Sequence, residues 1–315
     1  MRVGLLILWG LVAASISGAA TLQEDFSANP QSDGWKIFGD TNLFQWDATH
    51  QNLDVTWDSS QSNSYFYHSL GTILARSDDF SLSFDLQLSN VTWSGSPELA
   101  VGLFHFVDAT NVSFSRPVAD TPNLFEFDYF PDNSIGQPAI AATLTDTNVG
   151  ATNKKDFYFV YDNQSLDPGM VYHIVLAHTA GQPAISGQVF TNGQLYTSLP
   201  YTFAGPITDF RIDTVSISSY SNSGSSLLAQ GTVDNLVVTL PPPPVQNLTG
   251  SFTNGAWQAQ CLSQSNWWYT LQRSADFQTW TNVSPPTPGN ATNLFLPDVS
   301  PPASVAFYRI SAQRP

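Results

Sequence analysis

The sequence predicts an all-β protein in two parts, a large antiparallel β-sandwich of the jelly-roll kind followed by a small β-sandwich. Three observations carry the prediction. Charged residues make up only 11% of the 315, while aromatics reach 13%. An ordinary soluble domain has roughly 25% charged residues, and helices draw their solvated faces from Glu, Lys and Arg. Second, apolar and polar residues alternate in short runs separated by Gly, Asn and Pro, with no stretch of sustained helical period. Third, four consecutive prolines, Pro241–Pro244, cannot join a sheet ladder and form a stiff spacer. Residues 21–240 are thus expected to be one domain, 241–245 a linker, and 246–315 a second domain.

Taken in order, Met1–Ala20 has one Arg, an apolar run from Val3 to Ala14, and small residues from Ser17 to Ala20. That pattern predicts a secretory signal peptide cleaved near Ala20. A membrane span needs about 20 apolar residues, so no membrane insertion is expected after cleavage. The mature protein is expected to be secreted, in an extracellular or periplasmic place. The lone Cys261 cannot form an intramolecular disulfide, which in an exported chain of this size points to a bacterial source. A net charge of −15 repels phosphate backbones and anionic lipid, and argues against nucleic-acid partners.

Phe80–Leu88 alternates strictly and predicts a strand with one face inward. Leu99–Val107 is more continuously apolar, as in a strand buried on both faces. Val171–His178 and Gln188–Phe190 are strand-like, and Asn192-Gly193 supplies the pair that a type I′ hairpin turn needs. Phe210–Ser218 alternates again, and Val233–Leu240 closes the domain before the prolines.

The opening Glu24–Trp35, the hairpin at Asn192-Gly193, then Ile212–Ser221 and Val233–Val238 resemble the concanavalin A-like lectin and glucanase jelly roll, including its laminin-G-like relatives. The second domain, with Tyr269–Val283 and Phe307–Ile310, is similar to a small β-sandwich appended to secreted bacterial proteins. These resemblances imply the fold and an association with glycans.

Phe125–Asp132, FEFDYFPD, holds the main candidate site. Period 2 puts Phe125, Phe127 and Tyr129 on one face, and Glu126, Asp128 and Phe130 on the other. Glu126 and Asp128 are then about 6.6 Å apart at Cα, from a rise of ~3.3 Å per residue. Their repulsion calls for a proton, a cation or open solvent. The stretch resembles two families. In laminarinase-type β-glucanases, a second catalytic carboxyl follows the nucleophile by four or five residues; here Phe130 and Pro131 stand there, and neither shuttles a proton. The legume-type lectin motif is the nearer match. It implies that Glu126, Asp128, the carbonyl of Phe130 and Asp132 are metal ligands, and such hard oxygen donors suit calcium. Gln137 stands at the position that would bridge two ions and Ala142 at that of a His, so a single calcium is the expectation. The other reading of the pair is a solvated acidic strand. A second candidate calcium site brings Glu24 or Asp25 of the first strand to Asp234 of the last.

Glu126 and Asp128 are also candidate carbohydrate-binding residues, with Trp57 and Trp93 as candidate sugar-stacking rings, since a flat apolar ring matches a pyranose face. The five histidines show no zinc spacing, and no G-x-S-x-G elbow or glycine-rich phosphate loop is present. The expected function is non-catalytic carbohydrate binding, with polysaccharide or glycan as partner. The alternatives are a structural or adhesive surface protein without a small ligand, and a divergent glycoside hydrolase.

Overall fold

A computed structural model describes residues 20–116, 121–132, 136–147, 157–158, 161–200, 207–253, 255–303 and 305–314. The signal peptide reading falls on residues 1–19, outside those described. The chain divides into two compact units, Thr21–Pro241 and Pro242–Pro315.

The first unit opens with β1 (Ala20–Glu24), β2 (Lys36–Phe38), β3 (Phe44–Asp47), β4 (Asn52–Asp58) and β5 (Ser64–Leu74). β6 (Phe80–Ser94), β7 (Leu99–Phe104), the one-turn helix α1 (Phe106–Ala109), β8 (Leu124–Phe130) and β9 (Ala139–Thr145) follow. Two short strands, β10 (Phe157–Tyr158) and β11 (Tyr161–Asp162), precede β12 (Val171–His178) and β13 (Ile185–Thr191). β14 (Gln194–Pro200), β15 (Ile212–Ser219) and β16 (Ser226–Leu240) complete the unit.

They form two eight-stranded sheets. Sheet A runs β14-β13-β12-β6-β16-β4-β3 with β1 on β16, and sheet B runs β10-β9-β8-β7-β15-β5-β2 with β11 on β9. The chain passes repeatedly from one sheet to the other, and its first strand pairs with its last. This is a concanavalin-like jelly roll.

Alternation decides which side chains face between the sheets. On β6, Phe80, Leu82, Phe84, Leu86 and Leu88 are buried while the residues between them are half-exposed. On β8, Phe125, Phe127 and Tyr129 join the same inter-sheet core. Asn192 and Gly193 both have positive φ, 51° and 72°, as the predicted hairpin turn requires. The expected strand Leu99–Val107 ends early. It stops at Phe104, and His105 becomes the N-terminal flank of α1. His105 is accordingly not a core residue: its Nδ1 lies 2.9 Å from Asp108, half-exposed.

The second unit holds β17 (Gln246–Thr253), β18 (Ala256–Leu262), β19 (Trp268–Ser274), β20 (Thr281–Asn282), β21 (Thr287–Pro288), β22 (Asn293–Asp298) and β23 (Phe307–Gln313). They make a three-stranded and a four-stranded sheet around Ala259, Cys261, Trp267, Tyr269, Leu271 and Leu296.

Candidate functional site

The outward face of β8 is closed to solvent. Glu126 is 1% exposed and Asp128 0%, so the solvated-strand reading and a sugar-binding role for this pair are both corrected. The cause is the segment from α1 to Arg116, which crosses the outside of sheet B. Tyr65 Oη donates to the Ala109 carbonyl at 2.9 Å, and Asn63 Nδ2 donates to the Phe114 carbonyl at 3.1 Å. Beneath the segment Tyr65, Ala100, Phe104, Ala109, Phe114, Leu124 and Tyr220 form a second small core.

Arg116 ends this segment, fully buried among carboxylates. Its Nη2 lies 2.8 Å from Glu126 Oε1 and 3.2 Å from both Asp128 Oδ1 and Glu98 Oε2. Its Nε lies 3.2 Å from Glu98 Oε1. Tyr220 Oη donates to Glu126 Oε2 at 2.8 Å, and Thr143 Oγ1 donates to Asp128 Oδ2. Gly102 stands opposite Glu126 in register. A Cβ there would sit 2.2 Å from that of Glu126, so glycine makes the room.

One guanidinium therefore faces three buried carboxyls, and charge balance requires protons. Burial, reinforced by Glu126 and only partly offset by Arg116, raises the Asp128 carboxyl well above its usual range. Burial likewise pushes Glu98 up to about 7 against the pull of Arg116. For Arg116, burial alone would lower the pKa, and the three acids outweigh it. Glu98 Oε1, Arg116 Nε and Glu126 Oε1 are close but poorly directed, with no aligned hydrogen bond.

At Glu126 and Asp128 the donor set does not fit calcium. Arg116 is the cation in contact with Glu126 and Asp128. Phe130 is in ladder register with Ala139, and Asp132 turns its Oδ1 to the Gly136 amide at 3.0 Å. At the second place, Glu24 ends β1 and is buried, while Asp25 follows the strand and is exposed. Glu24 accepts from the Phe26 amide, Asp25 from Ser27, and Asp234 from Asn235. Among the described residues no three His, Cys, Asp or Glu are grouped to hold a metal ion. Trp57 is corrected too: β4 turns it between the sheets, where it is fully buried. Trp93 is 46% exposed, but it lies on sheet A, away from Glu126 and Asp128 on sheet B.

The open site is on the outer face of sheet A. Register places Asp234 opposite Asp85, Asp85 opposite His173, and His173 opposite Phe190. Four neighbouring strands thus present one transverse row. His173 Nδ1 meets Asp85 Oδ1 at 2.7 Å, and its ring centroid lies 6.3 Å from that of Phe190. A bulge after Asp234 sets Asn235 at φ 50°, where its Nδ2 donates to Asp85 Oδ2 at 2.9 Å. A groove of about 640 Å³ opens over Asp85, His173 and Phe190 of this row, lined also by Val171, Val175, Gln188, Asn192 and Gly193. Burial is the first cause that raises Asp234, and the nearby charges of Asp85 and Asp25 add to it.

No protein-family model matches the sequence, and no curated protein matches it. Among solved structures, the chain is similar to a seed lectin of Lotus tetragonolobus, at 11% identity and a TM-score of 0.45, over 72% of this chain and 100% of that one. It is also similar to an alginate lyase, at 12% identity and a TM-score of 0.42, over 70% of this chain and 96% of that one. An endo-β-1,4-glucuronan lyase from Trichoderma reesei matches at 11% identity and a TM-score of 0.37, over 65% of this chain and 87% of that one. At these levels the likeness is one of fold and says nothing of ligand or reaction.

Proposed function

We propose that this is an exported, non-catalytic glycan-binding protein whose first unit takes a saccharide on the outer face of sheet A. The observation that carries the proposal is the groove in which the half-exposed ring of Phe190 stands beside the chain His173–Asp85–Asn235. A sugar ring has an apolar face and an edge of hydroxyls. Phe190 and Val171 offer an apolar strip to the first. Asp85, His173, Gln188 and Asn192 offer donors and acceptors to the second, the usual make-up of a small-ligand site.

The hydrolase alternative needs an acid open to substrate and a second carboxyl about 5–5.5 Å from it for retaining chemistry. Glu126 is instead sealed under the α1 segment and held by Arg116 and Tyr220. A glycan array probed with the full chain tests the proposal. Retention on a subset of glycans is expected, and Phe190→Ala should weaken it about tenfold, the equivalent of ~1.4 kcal/mol. The melting temperature should stay the same, because Phe190 is half-exposed. Retention that is indifferent to Phe190→Ala, or none on any glycan, would contradict it.

A further inference from the structure

The sign of the charge around the groove reaches further than its shape. We infer that this groove accepts uncharged glycans and rejects polyuronates, an inference that rests on the glycan-binding reading above. Asp85 and Asp234 face each other across β6 and β16, and Asp25 lies within electrostatic reach of Asp234. Among the described residues, no lysine or arginine lines the groove. The described basic side chains of the first unit are committed elsewhere. Arg76 donates to the carbonyls of Ile207 and Gly181, Arg116 is buried under the α1 segment, and Arg211 pairs with Asp209. Lys36 sits on β2, in sheet B.

Recognition of a carboxylate polymer uses cationic donors, most effectively a bidentate arginine. Here a uronate would bring its charge to Asp85 in the groove and Asp234 beside it, with no described lysine or arginine to intervene. Neutral hydroxyls meet the opposite situation, because ionised carboxylates accept hydrogen bonds from them strongly. The whole-chain charge of −15 adds a long-range repulsion of the same sign, which salt screens beyond about 10 Å at 0.1 M.

Affinity electrophoresis of the full chain at pH 7.5 and low salt separates these contributions. The neutral probes are laminarin, hydroxyethyl cellulose and galactomannan; the anionic ones are alginate and polygalacturonate. The expected result is retardation by at least one neutral polymer, with both polyuronates at least tenfold weaker. In the double variant Asp85→Asn/Asp234→Asn the gap should narrow severalfold, although the net charge changes little. A polyuronate that retards as well as or better than every neutral polymer, through a response lost in Phe190→Ala, would overturn the charge inference and leave the glycan-binding reading standing. Should no polymer of either kind retard the chain, the glycan-binding reading itself falls. A gap untouched by the double variant would assign rejection to net charge and overturn the local account.

Discussion

Between pH 5 and pH 7 the thermal stability of the first unit should fall as the pH rises. Glu98 is raised from the ordinary 4.5 to about 7, and Asp128 is raised well above 3.8. Over this interval the unfolded chain has released protons that the folded cluster still holds. The stability linked to each raised carboxyl is fully present below its unfolded pKa and is lost as pH climbs through its folded one. The slope is up to ~1.4 kcal/mol per pH unit for each proton held. His178 acts in the opposite sense: burial lowers its pKa from 6.5, so it costs stability as the pH falls below that value. The decline from Glu98 should thus run to about pH 7 and level off above it, and His178 blunts it below pH 6.5. Thermal melts across this range check it, and Glu98→Gln with Asp128→Asn should flatten the curve. Stability that stays level or rises from pH 5 to 7 would rule out a proton-holding cluster.

Replacing Arg116 should be the most damaging single change in the first unit. Its loss leaves Glu98, Glu126 and Asp128 buried without a cation, and unpairing a buried charge costs roughly 3–5 kcal/mol. In a unit of this size that corresponds to a melting-temperature drop of about 10 °C. Arg116→Met preserves much of the side-chain volume, so the loss reports charge rather than a cavity. The deficit should shrink at pH 5, where protonation relieves the carboxyls. Arg116→Lys should recover only part of it, because an ammonium cannot reproduce the planar fork. A drop of less than about 2 °C for Arg116→Met at pH 8 would mean that the cluster is not what holds the α1 segment down.

Much of the fold was legible because strand period and turn chemistry are local. Phe80–Leu88, Asn192-Gly193 and Val233–Leu240 each carry their own signal. The faces of β8 were legible as well, but not what covers them. Residues 99–107 are apolar but for His105, and the turn into α1 is accompanied by tertiary bonds from the His105 amide to the Asn123 carbonyl, at 3.2 Å, and from the Phe106 amide to Asp213 Oδ1, at 2.9 Å. Arg116 was missed although the clue was present. In a chain with 10 bases and 25 acids, the counter-charge for a pair of buried acids has few sources. Glu98 was missed because nothing nearby in sequence marks it.

The outer row on sheet A was invisible for another reason. Asp85, His173 and Phe190 are each unremarkable in an alternating strand. They become a site through the pairing of β6 with β12 and β12 with β13, across 88 residues in the case of the His173–Asp85 contact. Trp57 shows the reverse failure: a residue type suited to sugar stacking is a core ring when its parity on the strand points inward.

Hydroxyl-radical footprinting of the full chain, with and without a bound neutral oligosaccharide, tests the central claim most directly. Oxidation of exposed side chains reports which face the ligand covers. His173 is 45% exposed by side chain and lines the groove with Phe190, and Met170, 36% exposed, is in contact with Asn192 of the groove. Saccharide should protect His173 and Phe190 and leave Phe106, Phe114 and Tyr220 unchanged. Protection confined to the α1 segment and β8, with His173 and Phe190 as reactive as in the free protein, would return the ligand to the sheet B face and contradict the account.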